Sequence, residues 1–164
     1  MAILKAVNSN RYTLEGVIRY ITDVAAHNGK IVFYGTSGIL DQYDPIREMM
    51  LFKWAYGKMG GLQYRQIILS FTKTETQNLP SEFFVRPVSA IATMLTENLG
   101  LQVVFAIHGN TENIHAHYIL NSVSNDGSKL QINKRLLFLL KQEINNILRD
   151  YGLGIILMHD YDVA

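Results

Sequence analysis

The sequence predicts an α+β domain: a two-layer α/β sandwich whose central, mainly antiparallel sheet carries helices packed mainly on one face. Three observations lead there. Strand-like and helix-like segments alternate along the chain, and two strand-like segments follow one another across a short polar stretch, Gly109 to Asn113, as in an antiparallel hairpin. With 164 residues, 48% of them apolar, the chain is long enough for one full hydrophobic core and too apolar for disorder.

Ala2 to Val7 reads as a first strand and Asn8 to Arg11 as a polar turn. Thr13 is placed to cap a helix with Glu15 in its first turn, and Leu14, Val17, Ile18, Ile21 and Ala25 recur at helical spacing. This helix is expected to end near His27-Asn28-Gly29. Ile31 to Tyr34 suits a short strand or an ordered loop, and Gly35 to Gly38 a flexible connector. Asp44-Pro45 starts a helix over Ile46 to Gly57, which Gly60-Gly61 breaks off. Tyr64 to Phe71 is a strand and Thr72 to Leu79 a polar loop. The helix that follows runs to about Asn98, either starting at Pro87 or kinked there after a turn from Pro80, and Gly100 closes it. After the hairpin and a loop over Ser124 to Gly127, Asn133 caps a helix from Lys134 to about Asp150, Gly152 stops it, and Gly154 to His159 forms a last strand. The hairpin is expected in the middle of the sheet, with Ile114, Ala116, Tyr118 and Leu120 on one face and His115, His117, Ile119 and Asn121 on the other, flooring a cleft.

Composition narrows the functional classes. There is no cysteine, so disulfides and thiolate metal sites are excluded, and any ion must be held by His, Asp, Glu or backbone oxygen. A net charge of +1 does not suit a protein that binds nucleic acid by charge alone. MAILKAVNSNRY is too short and polar for a signal peptide, and no apolar run reaches the ~20 residues that span a membrane. A cytoplasmic protein without a membrane partner is expected. Without repeat or linker, residues 1–164 read as one domain, and the stop soon after a strand suggests the N-terminal domain of something longer.

The chemistry concentrates in QVVFAIHGNTENIHAHYILNSVSNDG, Gln102 to Gly127. Alternation puts His115 and His117 on one face of a strand, and a hairpin returns His108 beside them. Imidazoles suit first-row divalent ions, and three neutral ligands leave positions open for substrate oxygens. Such an ion stabilises charge on phosphoryl oxygens. Glu112, Asn121 or Asp126 are candidates to orient the ring nitrogens. For an attacking group Tyr20, at the border of the first helix's apolar side, is the sharpest candidate, with Tyr12, Tyr34 and Tyr56 as competitors.

IHGNTENIHAHYILNSVSNDG resembles the metal-binding motif of the mobilisation-type plasmid relaxases, HUH endonucleases with one catalytic tyrosine. His108, His115, His117, Asn121, Ser122, Val123 and Gly127 match that pattern, with Lys129 close to its lysine. TLEGVIRYITD is similar to the family's N-terminal motif, and YRQIILSFT to its middle motif, keeping Ser70 and Phe71 but carrying Gln66 where the family usually has histidine. The resemblance implies an HUH relaxase, palm-like fold. It implies that Tyr20 attacks a scissile phosphate of single-stranded DNA at an origin of transfer, forming a 5′-phosphotyrosine link and a free 3′-hydroxyl. His108, His115 and His117 would hold the divalent metal, Mn²⁺ or Mg²⁺, with Asn121, Glu112, Asp126, Gln66 and Ser70 in support. Accessory relaxosome proteins are possible partners, and no nucleotide cofactor is expected. Arg11, Arg19, Arg65, Lys73, Lys129, Lys134 and Arg135 are candidates to meet the DNA, or are ordinary solvated charges. Two rival readings are a cleavage-deficient DNA-binding module of the same fold and a replication-initiator or transposase nuclease using Tyr151.

Overall fold

The computed structural model describes residues 2–7, 10–24, 30–109, 113–154 and 156. Five strands, β1 (Ala2–Val7), β2 (Ile31–Ser37), β3 (Tyr64–Phe71), β4 (Val103–His108) and β5 (His115–Asn121), form one sheet in the order β1-β3-β5-β4-β2. Every neighbouring pair is antiparallel, so the α+β class with an antiparallel sheet holds and the hairpin strand β5 lies at the centre. Helices pack on both faces of the sheet, however, not mainly on one as a two-layer sandwich requires.

Both faces of the central strands are buried, and alternation sorts their side chains into two cores. Ile67, Leu69, Phe105, Ile107, Ala116, Tyr118 and Leu120 pack on helices α4 (Val85–Leu99) and α5 (Lys134–Asp150), through Val88, Ile91, Leu95, Leu140, Ile144 and Leu148. This is the larger core. On the other face Val104, Ala106, Ile119 and Tyr64 meet Leu14, Val17, Ile18 and Ile21 of helix α1 (Leu14–Thr22) and Met49 of α2 (Pro45–Ala55). The second layer covers only part of its face: Ile3 of β1, on that side, remains 57% exposed.

Local chemistry explains the element ends. The Thr13 hydroxyl accepts from the Gly16 N–H at 3.0 Å and starts α1. Asp44 accepts from the Arg47 N–H at 3.2 Å, with Pro45 at the first helical position of α2. Asn133 accepts from the Leu136 N–H at 2.8 Å to cap α5. Gly100 ends α4 in the left-handed conformation, φ 65°.

Four further expectations need correction. Helix α1 stops at Thr22, earlier than expected, because Asp23 turns extended (φ −79°, ψ 102°) and the Thr22 hydroxyl bonds back to the Ile18 carbonyl at 2.8 Å; His27, Asn28 and Gly29 lie outside the described residues. Gly35, Thr36 and Ser37 are not a connector but continue β2, paired with Phe105, Val104 and Val103. The 72–84 segment contains a short helix, α3 (Lys73–Thr76), and a 3-10 turn, Ser81–Phe84, that leads directly into α4. Pro87 sits in the first turn of α4, where the N–H it lacks has no intrahelical partner to lose. Of the expected last strand, Ile156 makes a parallel bridge to Ala2, while residues 155 and 157–159 lie outside the described residues. Among the described residues no helix is long and apolar enough to cross a membrane.

Candidate metal centre

The β4–β5 register places His108 directly opposite His115, and Ala106 opposite His117. All three imidazoles therefore project from the face that carries α1. Their ring centroids are 5.4 Å (His108–His115), 4.7 Å (His108–His117) and 5.0 Å (His115–His117) apart. One nitrogen from each ring lies within 4.8 Å of the other two. His108 is buried, at 1% exposure, and His115 and His117 are half-buried.

Hydrogen bonds fix where the ring protons sit. His108 Nε2 is 2.7 Å from the Ile21 carbonyl oxygen and His115 Nδ1 is 3.1 Å from that of Asn113. A carbonyl only accepts, so each of these nitrogens carries the proton and the opposite nitrogen carries the lone pair. His117 Nδ1 is 3.0 Å from Gln66 Nε2, reached across from β3. An amide serves either tautomer, because turning it by 180° replaces its donor with its acceptor. The donor set fits a divalent ion: three imidazoles on rigid strands, each with one ring nitrogen held by a neighbour.

Tyr20 lies one residue before Ile21, so the helix that carries it is tied to His108 by that carbonyl. Its ring is 46% exposed and stacks on Tyr12, with centroids 5.7 Å apart and planes at 13°. The Arg11 guanidinium sits 5.7 Å from the centre of the Tyr12 ring, over its face.

The family profile described as "Relaxase: MobA/VirD2-like, nuclease domain" matches residues 20–153. The chain belongs to this relaxase family. It is 32% identical over 103 residues to Protein rlx of Staphylococcus aureus, a match spanning 61% of this chain and 30% of that relative. A solved structure described as "Molecular Basis of Vancomycin Resistance Transfer in Staphylococcus aureus" superposes with a TM-score of 0.55 at 15% identity, covering 81% of this chain and 77% of that one. That likeness shows the fold.

Around the histidine cluster, other residues singled out from the sequence fall into groups. Gln66 reaches a histidine, and Ser70 stands directly opposite His115 across β3 and β5. Asn121 and Asp126 do not orient the rings, contrary to expectation. Asn121, at the far end of β5, donates to the Met49 carbonyl at 3.0 Å and to Gln102 Oε1 at 2.9 Å, pinning α2 to the sheet. Asp126 closes the turn after β5, accepting from the hydroxyls of Ser124 and Ser128 and from the Ser128 N–H, which hold its carboxyl down to about 2. Glu112 lies outside the described residues.

The basic candidates divide by face. Arg11 precedes α1 and Arg19 lies in its last turn, bonding Glu15 at 2.8 Å, and Lys73 follows β3 at its His115 end. Arg65 lies on the opposite face, its Nε donating to the Leu130 carbonyl at 3.1 Å. Lys129 donates to the Gly60 carbonyl, and Lys134 and Arg135 open α5, which packs on the far face. One cation escaped the sequence reading. Lys5 is exposed, on the histidine face, and pairs with Ile68, which pairs with His117. Two strand spacings put its backbone about 10 Å from that of His117. Its alternation within β1 was the available signal.

Proposed function

We propose that this relaxase domain nicks and rejoins single-stranded DNA at an origin of transfer, with Tyr20 as nucleophile and His108, His115 and His117 as ligands of Mn²⁺ or Mg²⁺. The observation that carries the reading is the 2.7 Å bond from His108 to the Ile21 carbonyl, which anchors the helix of Tyr20 to the histidine cluster. When bound, the ion neutralises charge on the non-bridging oxygens of the scissile phosphate.

The remaining chemistry belongs to the chain. The Tyr20 oxygen forms a bond to phosphorus as the bond from phosphorus to the 3′-oxygen breaks. The phenol proton leaves, and the departing 3′-oxygen takes up a proton to become a hydroxyl. Attack by that hydroxyl on the phosphotyrosine reverses the step and reseals the strand. The half-exposed Tyr20 ring, held against Tyr12, is oriented without being sealed from a strand in solvent. Arg11 over the Tyr12 ring, Lys5 on the sheet and Lys73 at the strand end would meet neighbouring phosphates.

The test is covalent capture. With Mn²⁺ and a labelled single-stranded oligonucleotide containing the origin, wild type should form an adduct that survives denaturation. Tyr20→Phe should form none while melting normally; an adduct at the wild-type rate would remove Tyr20 from the mechanism. The initiator-type alternative is weakened by Tyr151, which caps α5 on the opposite face of the sheet.

A further inference from the structure

A cleft of about 560 Å³ opens on the histidine face, on the β2 side of α1, lined among others by Arg19, Thr22, Tyr34, Thr36, Gln42 and Tyr43. It lies on the same face of the sheet as the histidine cluster. Tyr34 pairs with Ala106, which pairs with His117, so Tyr34 lies on the same face two strands away, about 10 Å between backbones. Thr22 lines the cleft at the end of α1, next to the Ile21 carbonyl that holds His108.

The walls are aromatic and open. Tyr34 is 57% exposed and Tyr43 is 92% exposed. The Tyr43 ring is in water although its backbone is firmly held. Asp41 Oδ1 accepts from the Tyr43 N–H at 3.1 Å and the Asp44 N–H at 3.2 Å, and Glu48 accepts from the Leu40 and Asp41 N–H groups at 3.0 and 2.9 Å. An ordered turn that leaves a large ring in solvent presents that ring to something. The lining contains one charged group, the Arg19 guanidinium, whose Nε is held by Glu15 at 2.8 Å, and no carboxylate lines the cleft itself. Hydroxyls of Thr22 and Thr36 and the Gln42 amide add donors and acceptors at the edge. Aromatic faces for stacking, a cation for phosphate and a few polar groups for a base edge match an unpaired nucleotide. The volume falls in the range of small-molecule sites, too small for a duplex.

We propose that this cleft holds a nucleobase of the single strand flanking the scissile phosphate, stacked on Tyr34 or Tyr43, with Arg19 on its phosphate. The inference rests on the reading above, that the scissile phosphate sits at the histidines. It gives the domain a place to read sequence next to the cut, separate from the Tyr12–Tyr20 side of α1.

The test uses the whole chain with Mn²⁺ and a fluorescein-labelled pool of random single-stranded oligonucleotides. Replacing both rings, Tyr34→Ala with Tyr43→Ala, should weaken binding roughly 5- to 100-fold, as loss of base stacking does. The Mn²⁺-induced rise in melting temperature should be unchanged. The paired Tyr→Phe changes keep the faces and should retain wild-type affinity. Oligonucleotides carrying 5-iododeoxyuridine should photocrosslink to peptides containing Tyr34 or Tyr43. Undiminished affinity in the double alanine variant, or crosslinks confined to Tyr12 and Tyr20, would overturn the proposal. Failure of the nuclease reading is distinguishable. If wild type crosslinks through Tyr34 or Tyr43 yet never forms a Tyr20 adduct, the cleft stands and the nuclease does not. If the adduct forms and the alanine variant binds normally, the cleft alone is wrong.

Discussion

Gln66 stands where the resemblance to relaxases leads one to expect histidine, and it reaches a ring of the cluster. Its amide lies 3.0 Å from His117 Nδ1. It can hold that ring in the tautomer that metal binding at Nε2 requires, once its oxygen is turned toward the ring N–H. Gln66→Leu should therefore weaken Mn²⁺ binding by about 10- to 100-fold, as loss of such outer partners generally does. Gln66→His should retain most of the affinity. Titrating Mn²⁺ against melting temperature in the three proteins checks this, and equal affinities would show that the amide does not support the ring. The three histidines were legible because alternation and one turn suffice to converge them. The partner of His117 was not, since Gln66 is 51 residues away and only the β3–β5 register reveals it. Asn121 and Asp126 looked suitable because they are close in sequence. At ~3.3 Å per residue, a strand carries Asn121 about 13 Å from His117.

Helix α1 is the element on which the proposed chemistry turns. Its stripe of Leu14, Val17, Ile18 and Ile21 is fully buried, which helical spacing had made plain. Its end was less plain: apolar periodicity continued to Ala25, while the helix stops where Asp23 extends. Thr13→Ala removes the bond to the Gly16 N–H and should cost about 1 kcal/mol, lowering the melting temperature by a few degrees. Adduct formation should fall further than stability alone explains, because the frayed first turn adjoins Tyr12, whose ring stacks on Tyr20; unchanged kinetics would detach cap from chemistry. Strand β2 was misread for a different reason. Gly35-Thr36-Ser37 has loop composition, but at Gly35 a side chain would meet the Phe105 ring 3.0 Å away, so glycine there serves close packing across strands.

Across the whole molecule, one sheet joins the two cores, and the candidate metal centre sits at its middle strands. A bound ion therefore stabilises β4, β5 and α1 together. Mn²⁺ at about 100 times its Kd should add about 2.7 kcal/mol to folding and raise the melting temperature by roughly 5–10 °C. His117→Ala should abolish the rise, and a flat titration of the wild type would contradict a preformed site. The antiparallel arrangement and central hairpin followed from element order and the single short connection. The split of helices between two faces did not, because an apolar stripe tells that a helix is buried without telling under which side of the sheet.

The bond between His108 and the Ile21 carbonyl has a thermodynamic corollary. One peptide group links the strand that would grip the cation to the helix that bears the proposed nucleophile. Whatever settles that helix, including a docked oligonucleotide, must tighten cation affinity by the same factor by which the cation tightens the oligonucleotide. The two ligands should thus load cooperatively, each scarce one recruiting the other.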